Sequence, residues 1–197
     1  TLNEPTKVVF IKKIIGSCLA VKKLPFNLLS TNSFLEFLAS QNNSETTASL
    51  TFLKSPKFPY KLEWMNAFTK YIEQYLNSPE PVIIGGDFNV AIEDRDIWKP
   101  KNYEGVAISA PQARSIMNDW LNSGWMDAWR TLHPDTIDYT WYGYRGRDTV
   151  GNKQGLRLDY FLCNKTAATM IKNCEIDIKP RLATKPTDHC GLMLELK

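Results

Sequence analysis

The stretch that most limits what this chain can fold into is Val82–Asp96, "VIIGGDFNVAIEDRD". An apolar run without alternation reads as a strand buried on both faces, so the chain must supply a covering layer on each side. The strand ends in two glycines, which let the backbone turn sharply and let another molecule approach closely. Asp87 and Asn89 follow at its carboxyl end, where α/β sheets usually place ligands. In a strand, residues two apart project to the same side. A carboxylate can orient or deprotonate a water, and an amide can donate to a phosphate oxygen. Asp and Asn are equally common turn formers, and on the motif alone turn and site stand level.

The covering layers can be read on both sides of this strand. "PYKLEWMNAFTKYIEQYLN" predicts a helix starting at Pro59, with Met65, Phe68, Ile72 and Leu76 on one face. "APQARSIMNDWLNSG" predicts a second, with Ser109 or Ala110 before it, Ile116, Met117, Trp120 and Leu121 as its apolar stripe, and Gly124 closing it. Strands are expected at "DYTWYGY", "GLRLDYFLC", "CEIDI" and "CGLMLEL", with a brief helix at "TAATMIKN". The alternation indicates an α/β domain, with antiparallel pairing open around "GLRLDYFLC". Before Ser55 the signals weaken. "VVFIKKIIGSCLAVKKL" suits one or two short strands, "STNSFLEFLASQ" a short helix and "NNSETTAS" a loop.

Composition narrows the function classes. With 197 residues, 43% of them hydrophobic, the chain can build a real core. Its net charge of +3 allows a phosphate-bearing partner but is far from that of a DNA-coating protein. The four cysteines share no metal-ligand spacing, which points to reduced thiols and a cytoplasmic protein. Asn42 and Asn164 head chance N-x-S/T sequons, and no apolar run is long enough to span a bilayer.

Two further clues sit at strand ends. In "PTDHCGLMLEL", Asp188 and His189 immediately precede the last strand, offering a metal ligand or base beside a proton donor. His133, the other of the two histidines, has no such company. In "GLRLDYFLC", Leu156, Leu158, Tyr160 and Leu162 share one face, so Asp159 points the other way. A carboxylate in so apolar a strand needs a partner, and a histidine held in one tautomer is the natural one. A lone Asp-His pair is more often surface decoration, but three such signals at three strand ends reinforce one another.

The ordered set "GGDFNVAIEDRD", "DYTWYGYR", "GLRLDYFL" and "PTDHCGLMLEL" resembles the exonuclease III / abasic-site endonuclease branch of the endonuclease/exonuclease/phosphatase superfamily. The resemblance runs from about Ser55 to Lys197, with residues 1–54 a poorly matching segment. It implies an α/β fold, a two-layer β-sandwich flanked by helices, present here in part with the first half largely missing. It implies metal-dependent phosphodiester hydrolysis at abasic sites or 3′ ends of duplex DNA. Asp87 would orient or activate the attacking water and Asn89 would bind the scissile phosphate. His189 would contact a phosphoryl oxygen, oriented by Asp159. Asp188 would lie at or near a Mg²⁺ or Mn²⁺ site. Trp141, Leu156 and Leu158 match positions that line the pocket for a base-free sugar, where many relatives carry tryptophan in place of Leu156. Charge and placement suggest Arg95 and Arg145 as DNA-backbone contacts, with solvated surface arginines as the plain alternative.

The chain departs from the family before Ser55. The family's metal-binding glutamate lies in a "QE" motif at a strand end, and neither Glu4, Glu36 nor Glu45 follows an apolar strand and a glutamine. Two alternatives to a nuclease acting alone therefore stand. One is a truncated or split member that needs a second chain to supply the missing half. The other is a different phosphoesterase of the superfamily, against which "DYTWYGYR" and "GLRLDYFL" argue.

Overall fold

Val82, Ile83 and Ile84 alternate between two apolar clusters, and this alternation organises the protein. The structure is a computed structural model, and it describes residues 7–10, 28–29, 57–144 and 148–197. The expected helix at "STNSFLEFLASQ" and the loop at "NNSETTAS" fall outside the described residues, as does Cys18. The central sheet comprises β1 (Lys7–Phe10), β2 (Leu28–Leu29), β3 (Val82–Asp87), β4 (Met126–Asp127) and β7 (Asp159–Cys163), in the order β2-β1-β3-β7-β4. β1 runs parallel to β2 and β3, whereas β7 is antiparallel to β3 and β4.

One face of this sheet carries helices α1 (Lys57–Leu76) and α2 (Pro111–Ser123). Val82, Ile84, Tyr160 and Leu162 bury there against Phe68, Ile72, Met117 and Trp120. Phe68 and Trp120 meet edge to face, an arrangement aromatic quadrupoles favour. The opposite face, through Ile83, Phe161 and Cys163, packs on Cys174, Leu192 and Leu194. These belong to a second layer of two antiparallel strands, β8 (Ile171–Asp177) and β9 (Gly191–Leu196). Helix α3 (Ala128–Leu132) contributes Trp129 to this second cluster. The result is a two-layer β-sandwich flanked by helices. Burial on both faces of β3 follows directly from its unbroken apolar run.

Several elements differ in extent from the sequence reading. α1 begins at Lys57, two residues before Pro59, because proline is tolerated anywhere in a helix's first turn. "DYTWYGY" pairs only at β5 (Trp141–Tyr142), and "GLRLDYFLC" divides into β6 (Gly155–Leu156) and β7. β6 pairs with β5 in a separate small sheet. The division comes where Arg157 turns aside to bury its guanidinium between Asp96 and Asp127. Gly155 is required at this pairing, since a Cβ there would lie 2.6 Å from the Cβ of Tyr139. The helix expected at "TAATMIKN" is the shorter α4 (Lys165–Ala168), and Ile171 already belongs to β8. Asn164, half of a nominal sequon, is wholly buried. Its side chain caps α4 through the Ala167 N–H, accepts from the Val82 N–H and donates to the carbonyls of Tyr75 in the last turn of α1 and of Ser78 and Glu80 beyond it. Helix α5 (Lys179–Leu182) lies between β8 and β9.

Candidate active site

The antiparallel register of β3 and β7 places Asp87 directly opposite Asp159. Both therefore stand at one edge of the central sheet, and His189 reaches them from the entry to β9 in the other layer. Thr140 joins the segments: its hydroxyl accepts from the Leu158 and Asp159 N–H groups, and its carbonyl accepts from the Cys190 N–H. The start of β7 and the histidine loop are thus fixed to one residue.

The His189 Nδ1 lies 2.9 Å from Asp159 Oδ2, and its Nε2 lies 3.7 Å from Asp87 Oδ2. All three side chains are enclosed, at 2% exposure or less. An ionised Asp159 selects the tautomer with a proton on Nδ1 and turns Nε2 toward Asp87. Burial pushes the Asp159 carboxyl above its ordinary value, the hydrogen bond from His189 works against that, and the nearby Asp87 adds to the rise. Oδ1 of Asp159 is buried without a hydrogen-bond partner.

Asp87 Oδ1 accepts the Asn89 N–H at 2.9 Å, and Asn89 adopts φ 50°. The motif is therefore a turn that also aims a carboxylate. One carboxylate oxygen closes the turn while the other faces His189. Because the chain leaves the strand at Asp87, side-chain alternation does not govern Asn89; the left-handed turn does, and asparagine tolerates that region well.

The remaining candidates are placed as follows. Trp141 is half-buried; it bridges to His189 through the backbone and donates its indole N–H to Asp188 Oδ2 at 3.0 Å. Asp188 also accepts the Tyr142 N–H through its carbonyl. Leu156 and Leu158 are enclosed at 1% and 2% exposure with Ala91 and Ile97, and Trp141 packs over them. They form the floor beneath the indole. The guanidinium of Arg95 is taken up by Glu93 and the Pro134 carbonyl. Arg145 falls outside the described residues.

Asp87, Asp159 and His189 present ligand atoms all within 4.8 Å of one another, the group among the described residues that could hold a metal ion. Two facing carboxylates, one with an unpartnered buried oxygen, fit a divalent cation that would relieve their repulsion. Asp188 is not part of that group. Its carboxylate is engaged by Trp141.

Thr140, Lys61 and the Asp96–Arg157–Asp127 network emerge only in the folded protein. Lys61 had a readable signal, since it interrupts the apolar stripe of α1. Thr140 had none, because one hydroxyl inside "DYTWYGY" does not announce the two backbone N–H groups it accepts from.

The sequence model of the endonuclease/exonuclease/phosphatase family matches residues 7–189. The chain belongs to that family. Within the family it is similar to an exodeoxyribonuclease of Bacillus subtilis, 30% identical over 139 residues, covering 70% of this chain and 53% of that protein. An AP endonuclease structure from Archaeoglobus fulgidus superposes with a TM-score of 0.71 at 31% identity, covering 75% of this chain and 58% of the other. A Neisseria 3′ phosphatase, NExo, bound to a product DNA hairpin gives 0.69 at 30% identity, covering 75% and 57%. The chain spans about half the length of the curated relatives it matches. Within the endonuclease/exonuclease/phosphatase fold, β3, β7 and the turn into β9 are the elements that bring Asp87, Asp159 and His189 together.

Proposed function

We propose that the chain carries a phosphodiester-hydrolysing site of the exodeoxyribonuclease III / abasic-endonuclease kind, acting on duplex DNA at abasic sites or 3′ ends. The observation that carries the reading is the Asp87–His189–Asp159 arrangement at facing strand ends. The names of the relatives support the substrate class.

In this reading Asp87 orients the attacking water and takes its proton as the oxygen meets phosphorus, while the P–O bond to the leaving sugar oxygen breaks and that oxygen takes a proton from solvent. The 3.7 Å between Asp87 Oδ2 and His189 Nε2 is a gap that one oxygen atom can bridge at hydrogen-bond distance from both. His189, held through Nδ1 by Asp159, would in its imidazolium form donate Nε2–H to a phosphoryl oxygen, stabilising the charge that develops there. Asn89, partly exposed at the same edge, donates its side-chain amide to a second phosphoryl oxygen. Trp141 presents an apolar face to a base-free sugar, supported from below by Leu156 and Leu158. Asp87 and Asp159 would hold Mg²⁺ or Mn²⁺, with Asp188 beside His189 on the adjoining turn, and the ion when bound would supply positive charge to the reacting phosphate.

Among the described residues, no helix is long and apolar enough to cross a membrane. The described cysteines Cys163, Cys174 and Cys190 are free and buried, which suits a reducing compartment, and we read the protein as cytoplasmic. A substrate panel tests the reading: duplex with an abasic analogue, duplex with a recessed 3′ end, and a phosphomonoester, each with Mg²⁺ and with EDTA. Mg²⁺-dependent turnover of either duplex is expected. Turnover of the monoester alone would move the site to another phosphoesterase class.

A further inference from the structure

The buried face of α1 reads Phe58, Lys61, Met65, Phe68, Ile72, a 3-4-3-4 spacing whose members are all buried. Lys61 is 5% exposed in the middle of this apolar stripe, a position that suits leucine or methionine. Burial lowers its ammonium to about 8, with the charge of Asp87 pulling the other way. A lysine is an expensive choice here unless its hydrogen bonds do something an apolar side chain cannot.

Its Nζ donates to the Asn89 carbonyl at 2.5 Å. The two carbonyls that follow are held in the same manner from other elements. Val90 accepts from the Tyr160 hydroxyl on β7, and Ala91 accepts from Arg114 on α2. Three consecutive carbonyls are thus each tied to a side chain from a different element. Of these ties, the one from Lys61 falls on the residue in the left-handed region, whose N–H is bonded to Asp87.

We propose that Lys61 is a positioning residue: by holding the Asn89 carbonyl it locks the Asp87–Asn89 turn, so that both side chains face the Asp159–His189 pair. The consequence for catalysis rests on the nuclease reading above; the lock itself does not. Lys61 acts through Asn89. An apolar replacement should leave the helix packed and the turn loose.

The test compares wild type, Lys61→Met and Lys61→Arg by amide hydrogen exchange, thermal midpoint and incision of an abasic-analogue duplex. The Asn89 amide should exchange at least about tenfold faster in the methionine variant, while Ile84 keeps its rate and the midpoint does not fall. Arginine should restore most of the protection. Where incision is present, kcat should drop about tenfold or more in the methionine variant with KM held, as expected for misplaced groups. Wild-type exchange at Asn89 in Lys61→Met overturns the proposal, as does an unchanged kcat. Faster exchange spread over α1 and β3 with a lowered midpoint also overturns it, since the lysine would then only support the fold. A wild-type chain that cuts nothing, yet shows the Asn89 effect, sinks the nuclease reading and leaves the lock standing.

Discussion

Asp159 was legible as a residue needing a partner, because a carboxylate among Leu158, Tyr160 and Phe161 cannot stay ionised alone. The structure supplies His189 at 2.9 Å. In the proposed function that contact holds the ring; it is also a cost, because the carboxylate is nearly dehydrated. Asp159→Asn should therefore lower incision about a hundredfold or more while the thermal midpoint holds or rises. Rates and melting curves taken on the same preparation check this, and a collapse of the fold with no separate rate effect would contradict it. Lys61 gives a second residue-scale prediction. Its pKa is about 8 in the folded state against an ordinary 10.5, so between those values the folded chain binds fewer protons than the unfolded one. The contribution of Lys61 to stability should then grow with pH across that window, so the stability of the wild type relative to Lys61→Met should rise by up to ~3 kcal/mol from its lower to its upper end. Urea midpoints at a series of pH values decide it.

At the scale of elements, long periodic segments were readable and short ones were not. α2 runs from Pro111 to Ser123 with Ala110 before it and Gly124 after it, as its proline and glycine indicated. Gly124 adopts φ 121°, and a Cβ there would meet only Leu76 Cδ1 at an ordinary 3.7 Å. Gly124→Ala should thus cost about 1–3 kcal/mol from backbone strain rather than from a clash, measurable as a lowered denaturation midpoint. By contrast, β4 and α3 occupy only Met126 to Leu132, too short for a periodicity to develop. The split of "GLRLDYFLC" was hidden for a different reason. Its alternation is intact in sequence, and only the burial of Arg157 against partners 30 and 61 residues away breaks the strand.

At the scale of the whole molecule, that same arginine ties the parts together. Arg157 pairs with Asp96 and Asp127, and Arg130 of α3 shares Asp96. Burial alone would raise the Asp96 carboxyl, but the charges and hydrogen bonds of Arg157 and Arg130 hold it below its ordinary value. Arg157→Met would leave the buried Asp127 without its cation and Asp96 with Arg130 alone, and should cost about 3–5 kcal/mol in denaturant unfolding. None of these long-range pairings can be read from spacing, whereas the three strand ends that bring Asp87, Asp159 and His189 together could be, because each carried its residue in a short local motif. The central claim is that Asp87 and His189 act together on a DNA phosphodiester. The most direct measurement is incision of a duplex with one abasic-site analogue, with Mg²⁺ and with EDTA, by the wild type, Asp87→Ala and His189→Ala. Mg²⁺-dependent incision by the wild type is expected, falling at least about a hundredfold in each variant. Incision that survives both substitutions, or none from a folded wild-type chain, would contradict it.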